Sequence, residues 1–357
     1  MNITIRDPIY GFISLNELEK EIIDHPAFQR LRRISQLALS YMVYPGATHT
    51  RFEHSLGVMH LSSLMYDKLI KDAKCAKMLQ EKGYDNVGID RNRQLIRLAS
   101  LLHDVGHTPF SHGPEELMTK DPITNKSLRH ESYSSFIIKK ILKPLIEENK
   151  HNKKNLKIKA EEVASYIEFD PMFHVDIFLK ELISSQLDAD RGDYLLRDSY
   201  HAGVKYGVYD YLRLLDTFAL GEDPETKDLV VGVTNAGINV AESLILARYQ
   251  MFHQMYFHKT RRAFDYHLKE SLKHILPKGH FPDFKNINEF TQYVNNPITD
   301  IIIPENEGKS AAKKKTKKSP KASSSVTIEA LSKISKAISS DLYLEDILKL
   351  IVTVTAK

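Results

Sequence analysis

The sequence predicts a mainly α-helical protein with a small hairpin at its N-terminus and only minor strands. Three observations support this prediction. Residues 54–69 place apolar side chains three and four positions apart, which is the helical period. Residues 91–104 form a strongly apolar helical segment that stops at Gly106. Strand-like segments are confined to residues 3–15 and 226–234.

The predicted elements begin with the hairpin. Residues 3–15 form two short strand-like segments around an Asp-Pro turn. Residues 17–38 show helical periodicity that Pro26 interrupts. Thr50 and Glu53 have the spacing of a capping box, so a helix is expected to begin at about residue 51. The other helices are expected as two within 131–168, one at 181–198 and one long element, which can kink, at 236–276.

The length of 357 residues is typical of two domains, or of one large domain with an appendage. We expect a catalytic core at 1–280, a peripheral segment at 281–304, a Lys/Ser-rich linker at 305–325 and a C-terminal helical segment at 326–357. Lys309 to Lys321 contribute seven lysines and no acid. Removing them from the net charge of +4 leaves −3, so the core is not basic. The tract is interpreted as a solvated linker, with nucleic-acid binding as the alternative.

Composition excludes several classes of protein. A single cysteine, Cys75, excludes a disulfide framework and a cysteine-based zinc site. No stretch reaches the ~20 apolar residues of a membrane span, and the N-terminus lacks the pattern of a signal peptide. A cytoplasmic protein without a membrane partner is therefore expected. Sixteen histidines make His and carboxylate the expected ligands of any metal.

The segment 101–112 carries the main chemical signal. His103 and Asp104 end an apolar helix, where an unpaired polar group would be costly to desolvate. A divalent cation could pair with both, and His54 and Asp190 could complete its ligands from other helices. Each residue taken alone has a simpler explanation, such as a core histidine or a surface acid. Together, two imidazoles and two carboxylates suit Mn²⁺ or Fe²⁺.

These residues resemble the signature of the HD-domain phosphohydrolases, in its dNTP triphosphohydrolase (dGTPase-like) branch. That branch includes short bacterial members and the animal enzymes that join a sterile-alpha-motif domain to an HD domain. The similarity covers about residues 6–215 and 247–262. It rests on the strings DPIYGFISL, FQRLRRISQL, YPGATHTRFEHSLGV, LLHDVGHTPFSH, RHESYS and LDADRGDYLLRDSYHAG.

The resemblance implies one catalytic divalent metal held by His54, His103, Asp104 and Asp190. Mn or Fe is expected first, with Mg, Zn, Ni or Co as alternatives. It also implies that water attacks the α-phosphorus of a dNTP, releasing a deoxynucleoside and inorganic triphosphate. The catalytic residues that it implies are His112 and Glu115, an acid/base pair, together with His107 and His130.

The resemblance further implies residues that bind the substrate. Arginine suits phosphate through its planar fork, although the family carries a lysine where Arg191 stands. A tyrosine beside C2′ would exclude a ribose hydroxyl. The implied substrate residues are Arg51, Gln36, Leu37, Arg191, Tyr194, Asp198, Arg248 and Tyr256.

Regulation and assembly are also implied. Asp24, Gln29 and Arg32 match positions that read an activator nucleotide, with local structural pairing as the alternative. A homo-oligomer, dimer or tetramer, is expected. Two other interpretations stay open: an HD-type phosphomonoesterase or phosphodiesterase, and a nucleotide- or nucleic-acid-binding regulator. A diesterase would more often need a second metal.

Overall fold

The protein is built around one long helix, α3 (Arg51–Lys71), on which many of the other elements pack. The computed structural model describes residues 3–291 except for 122–124, 126, 169, 171, 277–278 and 284–289. The helices before the midpoint are α1 (Glu17–Asp24), α2 (Pro26–Gln29), α3, α4 (Ala73–Glu81), α5 (Asn86–Leu102), α6 (His130–Phe136), α7 (Lys143–Glu148) and α8 (Ala160–Ser165). The later helices are α9 (Ile177–Ile183), α10 (Ala189–Ala202), α11 (Tyr211–Thr217), α12 (Ile238–Met251) and α13 (Lys259–Ile275). The mainly α-helical class is confirmed.

The strands form two small antiparallel pairs. β1 (Ile3–Asp7) pairs with β2 (Gly11–Leu15), and β3 (Phe218–Glu222) pairs with β4 (Leu229–Val233). The N-terminal hairpin matches the prediction. Its turn is held by Oδ1 of Asp7, which accepts from the backbone N–H groups of Ile9 and Tyr10 at 2.9 and 3.0 Å. The sequence indicated β4 but missed β3.

The start of α3 follows from its capping residues. Oε1 of Glu53 accepts from the backbone N–H of Thr50 at 3.0 Å, and the helix begins at Arg51 as predicted. The apolar face carries Val58, Leu61 and Met65, each at most 1% exposed. α5 and α10 both pack on this helix. In its first turn, Nε2 of His54 lies 3.6 Å from Oδ2 of Asp104, just after α5, and 3.1 Å from Oδ1 of Asp190 in α10.

The backbone of α6 lies so close to Gly106, two residues after the His103-Asp104 pair, that only glycine fits at this position. A Cβ on Gly106 would lie 2.2 Å from the backbone nitrogen of Ser134 and 2.4 Å from the carbonyl oxygen of His130. A side chain there would force α6 away. The same glycine that stops the apolar helix in the sequence therefore lets α6 carry His130 to the turn.

Several predicted helices are shorter than expected. The segment 181–198 is not one helix, because α9 ends at Ile183 and α10 begins only at Ala189, where Asp188 caps its N-terminus. The segment 236–276 is divided by a π-helical stretch at Phe252–Tyr256 and by His258, whose side chain caps α13. Within 131–168, π-helical stretches at Ile137–Leu142 and Asn152–Leu156 separate three α-helices. Local capping and packing overrode the continuous periodicity in all three segments.

The proposed division into domains remains a prediction. Phe281 and Phe290 are buried, and the ring of Phe290 packs against Tyr133 and Phe136 at 5.5 and 5.4 Å. The rest of the peripheral segment is largely outside the described residues, and the Lys-rich linker and the C-terminal segment lie wholly outside them. Among the described helices, none is both long and apolar enough to cross a membrane.

Candidate active site

Four side chains expected to bind metal converge from three elements. His54 lies in the first turn of α3, Asp190 in the first turn of α10, and His103 and Asp104 directly after α5. Nε2 of His54 lies 3.1 Å from Oδ1 of Asp190 and 3.6 Å from Oδ2 of Asp104. Nε2 of His103 lies 3.4 Å from Oδ1 of Asp104 and 3.8 Å from Oδ1 of Asp190. Two imidazoles and two carboxylates therefore face one small volume.

Hydrogen bonds behind the two imidazoles leave both Nε2 atoms available for a cation. Nδ1 of His103 donates to the carbonyl oxygen of Ser100 at 2.7 Å, and its buried Nε2 has no hydrogen-bond partner among the described residues. Nδ1 of His54 donates to Oδ2 of Asp193 at 2.8 Å. Metal-binding imidazoles ordinarily donate their second nitrogen to a carbonyl or carboxylate in this way. The residues present therefore fit a divalent first-row metal.

The electrostatics of this group also favour a cation. Burial works against a charged His54, but hydrogen bonds to Asp190 and Asp193 outweigh burial and raise the pKa of His54 to about 10. Burial likewise opposes a charged Asp104, yet the positive charge of Arg51 holds the pKa of Asp104 well below its usual range. Metal binding at Nε2 would displace the His54 proton, because an imidazole binds metal through its lone pair.

Two arginines hold the turn that carries Asp104. Arg51 donates from Nη1 to Oδ2 of Asp104 and from Nε to Oγ of Ser111, the latter at 2.9 Å. Arg30 donates to the carbonyl oxygen of His107 at 2.8 Å and to that of Val105. Arg51 is 3% exposed. A phosphate bound there would share the guanidinium with Asp104.

The four expected catalytic residues form a second cluster beside the first. Glu115 accepts from Nδ1 of His130 at 2.6 Å and from Nδ1 of His112 at 3.0 Å. The rings of His107 and His130 stack at 3.8 Å with an interplanar angle of 16°. Nε2 of His107 lies 3.2 Å from Oδ1 of Asp104, which joins the two clusters.

These contacts separate the protonation states of the histidines. Burial lowers the pKa of His107 well below its usual value. Burial also opposes a charged His130, but its hydrogen bond to Glu115 outweighs burial and raises the pKa. Burial opposes a charged Glu115 as well, yet hydrogen bonds from both histidines lower its pKa strongly. Glu115 is therefore an ionised carboxylate that fixes two imidazoles.

Asp198 is the centre of the predicted sugar-binding group. Its Oδ2 accepts from the Tyr256 hydroxyl at 2.6 Å, and its Oδ1 lies 2.7 Å from Nε2 of His49. The rings of Tyr194 and Tyr256 meet at 6.2 Å with an interplanar angle of 69°. Three of the predicted substrate residues are thus in contact, and His49 joins them.

The other predicted substrate residues differ from one another in their surroundings. Arg191 pairs with Asp188 at 3.1 Å, and the Arg248 guanidinium lies 4.9 Å from the centre of the Phe252 ring. Among the described residues, the buried Nε of Arg248 and Oε1 of Gln36 have no hydrogen-bond partner. Leu37 is buried in the main core.

The three residues expected to bind an activator have local partners. Asp24 pairs with Lys20, and the Gln29 amide donates to the carbonyl oxygen of Ile23 at 2.8 Å. Arg32 donates to Oε1 of Gln29 at 2.9 Å and stacks over the Phe52 ring at 3.5 Å. Activator binding stays a prediction.

Sequence reasoning missed several residues that support the site. No motif in the sequence singles out Asp193, yet it is the partner of His54. Arg197 donates to Asp193 and also to Asp7, and His49 contacts Asp198. The spacing of Asp190 and Asp193, one helical turn apart, was the available signal, because such residues share a helix face.

Comparison with known proteins relates this geometry to a family. A family model described as "HD domain" matches residues 51–186, which contain three of the four converging side chains. MJ1154, an uncharacterised protein of Methanocaldococcus jannaschii, is 37% identical over 277 residues, covering 77% of this chain and 50% of that protein. Deoxynucleoside triphosphate triphosphohydrolase SAMHD1 of Xenopus laevis is 34% identical over 236 residues, covering 58% of this chain and 35% of that protein.

A solved structure agrees with these matches. The crystal structure of a hypothetical protein from Aquifex aeolicus has a TM-score of 0.64 and 32% identity, covering 82% of this chain and 70% of that one. The chain spans only about half the length of MJ1154 and about a third of SAMHD1. The matched segment, the relatives and the converging His and Asp side chains agree, and the chain therefore belongs to the HD-domain family.

Proposed function

We propose that this protein is a metal-dependent dNTP triphosphohydrolase, which hydrolyses a dNTP to a deoxynucleoside and inorganic triphosphate. One observation carries the proposal: two imidazoles and two carboxylates converge directly beside a cluster of three further histidines and Glu115. The first group suits a divalent cation and the second suits proton transfer and phosphate contact. Similarity to the SAMHD1 triphosphohydrolases supports the choice of substrate class.

His54, His103, Asp104 and Asp190 would hold the metal. When bound, a divalent cation polarises a phosphoryl oxygen and lowers the pKa of water near it. The chemistry transfers the oxygen of water to the α-phosphorus, breaks the bond from that phosphorus to O5′, and places one proton on O5′.

We assign the transfer of this proton to Nε2 of His112. Glu115 holds Nδ1 of the same ring, so Nε2 is the nitrogen free to exchange a proton with the substrate. The His112 side chain is 57% exposed, which lets an incoming nucleotide reach it. His107 and His130 lie behind it and would contact phosphate oxygens.

The residues around Asp198 would recognise the sugar. Both oxygens of Asp198 are oriented by other side chains, which prepares the carboxylate to accept a bond from a sugar hydroxyl. Tyr194, packed on Tyr256, would fill the space beside C2′ and reject ribonucleotides sterically. Arg51, Arg191 and Arg248 would supply positive charge for the phosphates.

The histidine cluster argues against a two-metal phosphodiesterase. Nitrogen atoms of His107, His112 and His130 lie within 4.8 Å of one another, close enough to suggest a second metal site. A metal lies near the plane of each imidazole that binds it, ~2.1 Å from the nitrogen. The His107 and His130 rings stack almost parallel at 3.8 Å, so their planes do not meet at one such point.

The test is product analysis with purified full-length protein. Each dNTP and each rNTP is incubated with Mn²⁺, with and without GTP and a second dNTP, and the products are separated by chromatography. The expected products are deoxynucleoside and inorganic triphosphate, from dNTPs only. Asp104→Ala should abolish turnover. Asp67→Ala is the matched control, because Asp67 lies on α3 and pairs with Arg93 outside the site.

Other outcomes would contradict the proposal. Stepwise release of monophosphate would move the attack to the γ-phosphorus. If rNTPs were hydrolysed as fast as dNTPs, Tyr194 would not reject ribonucleotides as proposed. Lack of any nucleotide turnover, with hydrolysis of a phosphomonoester or diester instead, would favour the other enzyme classes. Nucleotide binding without turnover would favour a regulator.

We also propose that the protein forms a homo-oligomer. One stripe of α12, which includes Leu244 and Met251, is buried, yet Ile245, Leu246 and Tyr249 on the other side are 54%, 55% and 63% exposed. A helix that is apolar on both sides is normally covered on both. A stable interface buries about 800 Å² of each partner. A second copy would cover it about a two-fold axis.

Sedimentation velocity tests this assembly. We expect the wild-type protein to sediment as a dimer or tetramer and Leu246→Glu to shift it towards the monomer. Lys77→Glu, an exposed change on α4, is the control. A monomeric wild-type protein would contradict the proposal.

A further inference from the structure

A buried chain of charged side chains connects the N-terminal hairpin to His54. Asp193 accepts from Nδ1 of His54 at 2.8 Å, on the side of the ring away from the metal ligands. Arg197, one turn along α10, donates from Nε and Nη2 to the two carboxylate oxygens of Asp193 at 2.9 and 2.8 Å. Its Nη1 donates to Oδ2 of Asp7 at 2.8 Å. The chain therefore joins the last residue of β1 to a side chain expected to bind metal.

This chain of contacts is shielded from water and tightly packed. Asp193 and Arg197 are 0% exposed, and Asp7 is 3% exposed. A Cβ on Gly57 would lie 1.9 Å from Oδ1 of Asp193 and 2.3 Å from Nη2 of Arg197. The backbone of α3 thus presses against the ion pair, and the pair has no space in which to take a second arrangement.

The hairpin turn fixes the far end of the chain. Oδ1 of Asp7 accepts from the backbone N–H groups of Ile9 and Tyr10, so the carboxylate cannot rotate freely. Its other oxygen then sets the plane of the Arg197 guanidinium. A bidentate arginine–carboxylate pair transmits this orientation, because two parallel hydrogen bonds allow little rotation. The Asp193 carboxylate in turn orients the His54 ring.

The charges in the chain complement a cation. Asp7, Asp193 and Glu53, whose Oε2 lies 3.7 Å from Nη1 of Arg197, carry three negative charges against the one positive charge of Arg197, which leaves net negative charge behind His54. In a buried environment this charge favours positive charge at His54, whether a proton or a metal supplies it. Carboxylates behind a metal-binding histidine have this effect in other metal sites.

We propose that Asp7 is a positioning residue of the metal centre, acting through Arg197 and Asp193 on His54. The N-terminal hairpin then sets the affinity for metal without touching metal or substrate. This inference rests on the metal centre of the proposed function, but not on the identity of the substrate.

Direct metal binding tests the inference. The full-length protein is stripped with a chelator and titrated with Mn²⁺, and free Mn²⁺ is measured by electron paramagnetic resonance. We expect Asp7→Asn to raise the Kd for Mn²⁺ about tenfold and Asp193→Asn to raise it about a hundredfold, the range that such supporting residues cover. Asp193→Asn acts more strongly because an amide can also donate to Nδ1 and move the imidazole proton to Nε2.

Glu19→Gln is the matched control. Glu19 is also fully buried and also pairs with an arginine, Arg97, at 2.6 Å, and the pair likewise ties the N-terminal region to a core helix. It has no hydrogen bond to the metal ligands. We expect its Kd for Mn²⁺ to stay within about twofold of the wild-type value. Titrations are run at a temperature at which circular dichroism shows each variant to be folded.

The outcomes separate the inference from the proposed function. If the Asp7→Asn variant bound Mn²⁺ with the same Kd as the wild-type protein, the inference would be overturned, but the metal centre would stand. An equal loss of affinity in Glu19→Gln would also overturn it, because the effect would then reflect general destabilisation. Failure of the wild-type protein to bind Mn²⁺ would overturn the metal centre and the inference together.

Discussion

Replacing Gly57 with alanine would place a methyl group inside the ion pair of Asp193 and Arg197. The added Cβ would lie 1.9 Å from Oδ1 of Asp193 and 2.3 Å from Nη2 of Arg197, both far inside van der Waals contact. The neighbouring atoms cannot move away cheaply, because both side chains are fully buried and paired. We expect α3 to shift away from α10 and one of the hydrogen bonds to break.

The magnitude follows from three terms. Overpacking a well-filled interior costs about 1–3 kcal/mol, and losing one buried hydrogen bond between charged groups costs about 1.5–3 kcal/mol. Alanine regains about 1 kcal/mol over glycine inside a helix. We therefore expect Gly57→Ala to lower the free energy of unfolding by about 3 kcal/mol. In a protein of this size that corresponds to a decrease in Tm of about 4 °C.

Thermal unfolding followed by circular dichroism measures this effect. Gly232→Ala is the control, because a Cβ added at Gly232 in β4 meets nothing within 4 Å. We expect its Tm to stay within about 2 °C of the wild-type value. A Gly57→Ala protein with the wild-type Tm and the wild-type affinity for Mn²⁺ would refute the reasoning, since the buried ion pair would then tolerate an extra methyl group.

Three further predictions concern the site and its surroundings. Glu115→Gln should lower kcat about 10²- to 10⁴-fold without a comparable change in Mn²⁺ affinity, because it removes the carboxylate behind His112; equal kcat values in steady-state assays would contradict this. Burial opposes a charged Glu19, but Arg97 outweighs burial and lowers its pKa, so its stabilisation is complete above about pH 4.3 and is lost as the pH falls through the lowered value. The Tm difference between wild type and Glu19→Gln should therefore shrink on acidification below about pH 4; a constant difference would contradict the assignment. Tyr194→Ala should raise kcat/KM for rNTPs relative to dNTPs at least about tenfold, and an unchanged ratio in competition assays would exclude Tyr194 as the sugar gate.

The sequence predicted the parts of the fold that depend on local signals. The hairpin turn and the Thr50–Glu53 cap each require only a few adjacent residues, and each lies where the sequence indicated. The apolar helix α5 ends at Leu102, four residues before the stop that the sequence indicated at Gly106. The predicted helix at 181–198 was too long because its periodicity continues through residues 184–188. In the structure Asp188 caps the N-terminus of α10, so a new helix begins at Ala189. The side chain of Asp188 can either cap a helix or lie within one, and the packing of the surrounding chain decides between the two.

The sequence by itself determined the helical class, the family and the residue types at the candidate site. Motifs such as His103-Asp104 are contiguous, so they can be identified without distances. Only the tertiary structure decided which distant side chains support them: Asp193 rather than solvent behind His54, and Asp7 behind Arg197 across 190 positions of chain. The reason is physical. Hydrogen bonds between buried charges depend on how helices pack, and no local pattern in the sequence encodes that packing.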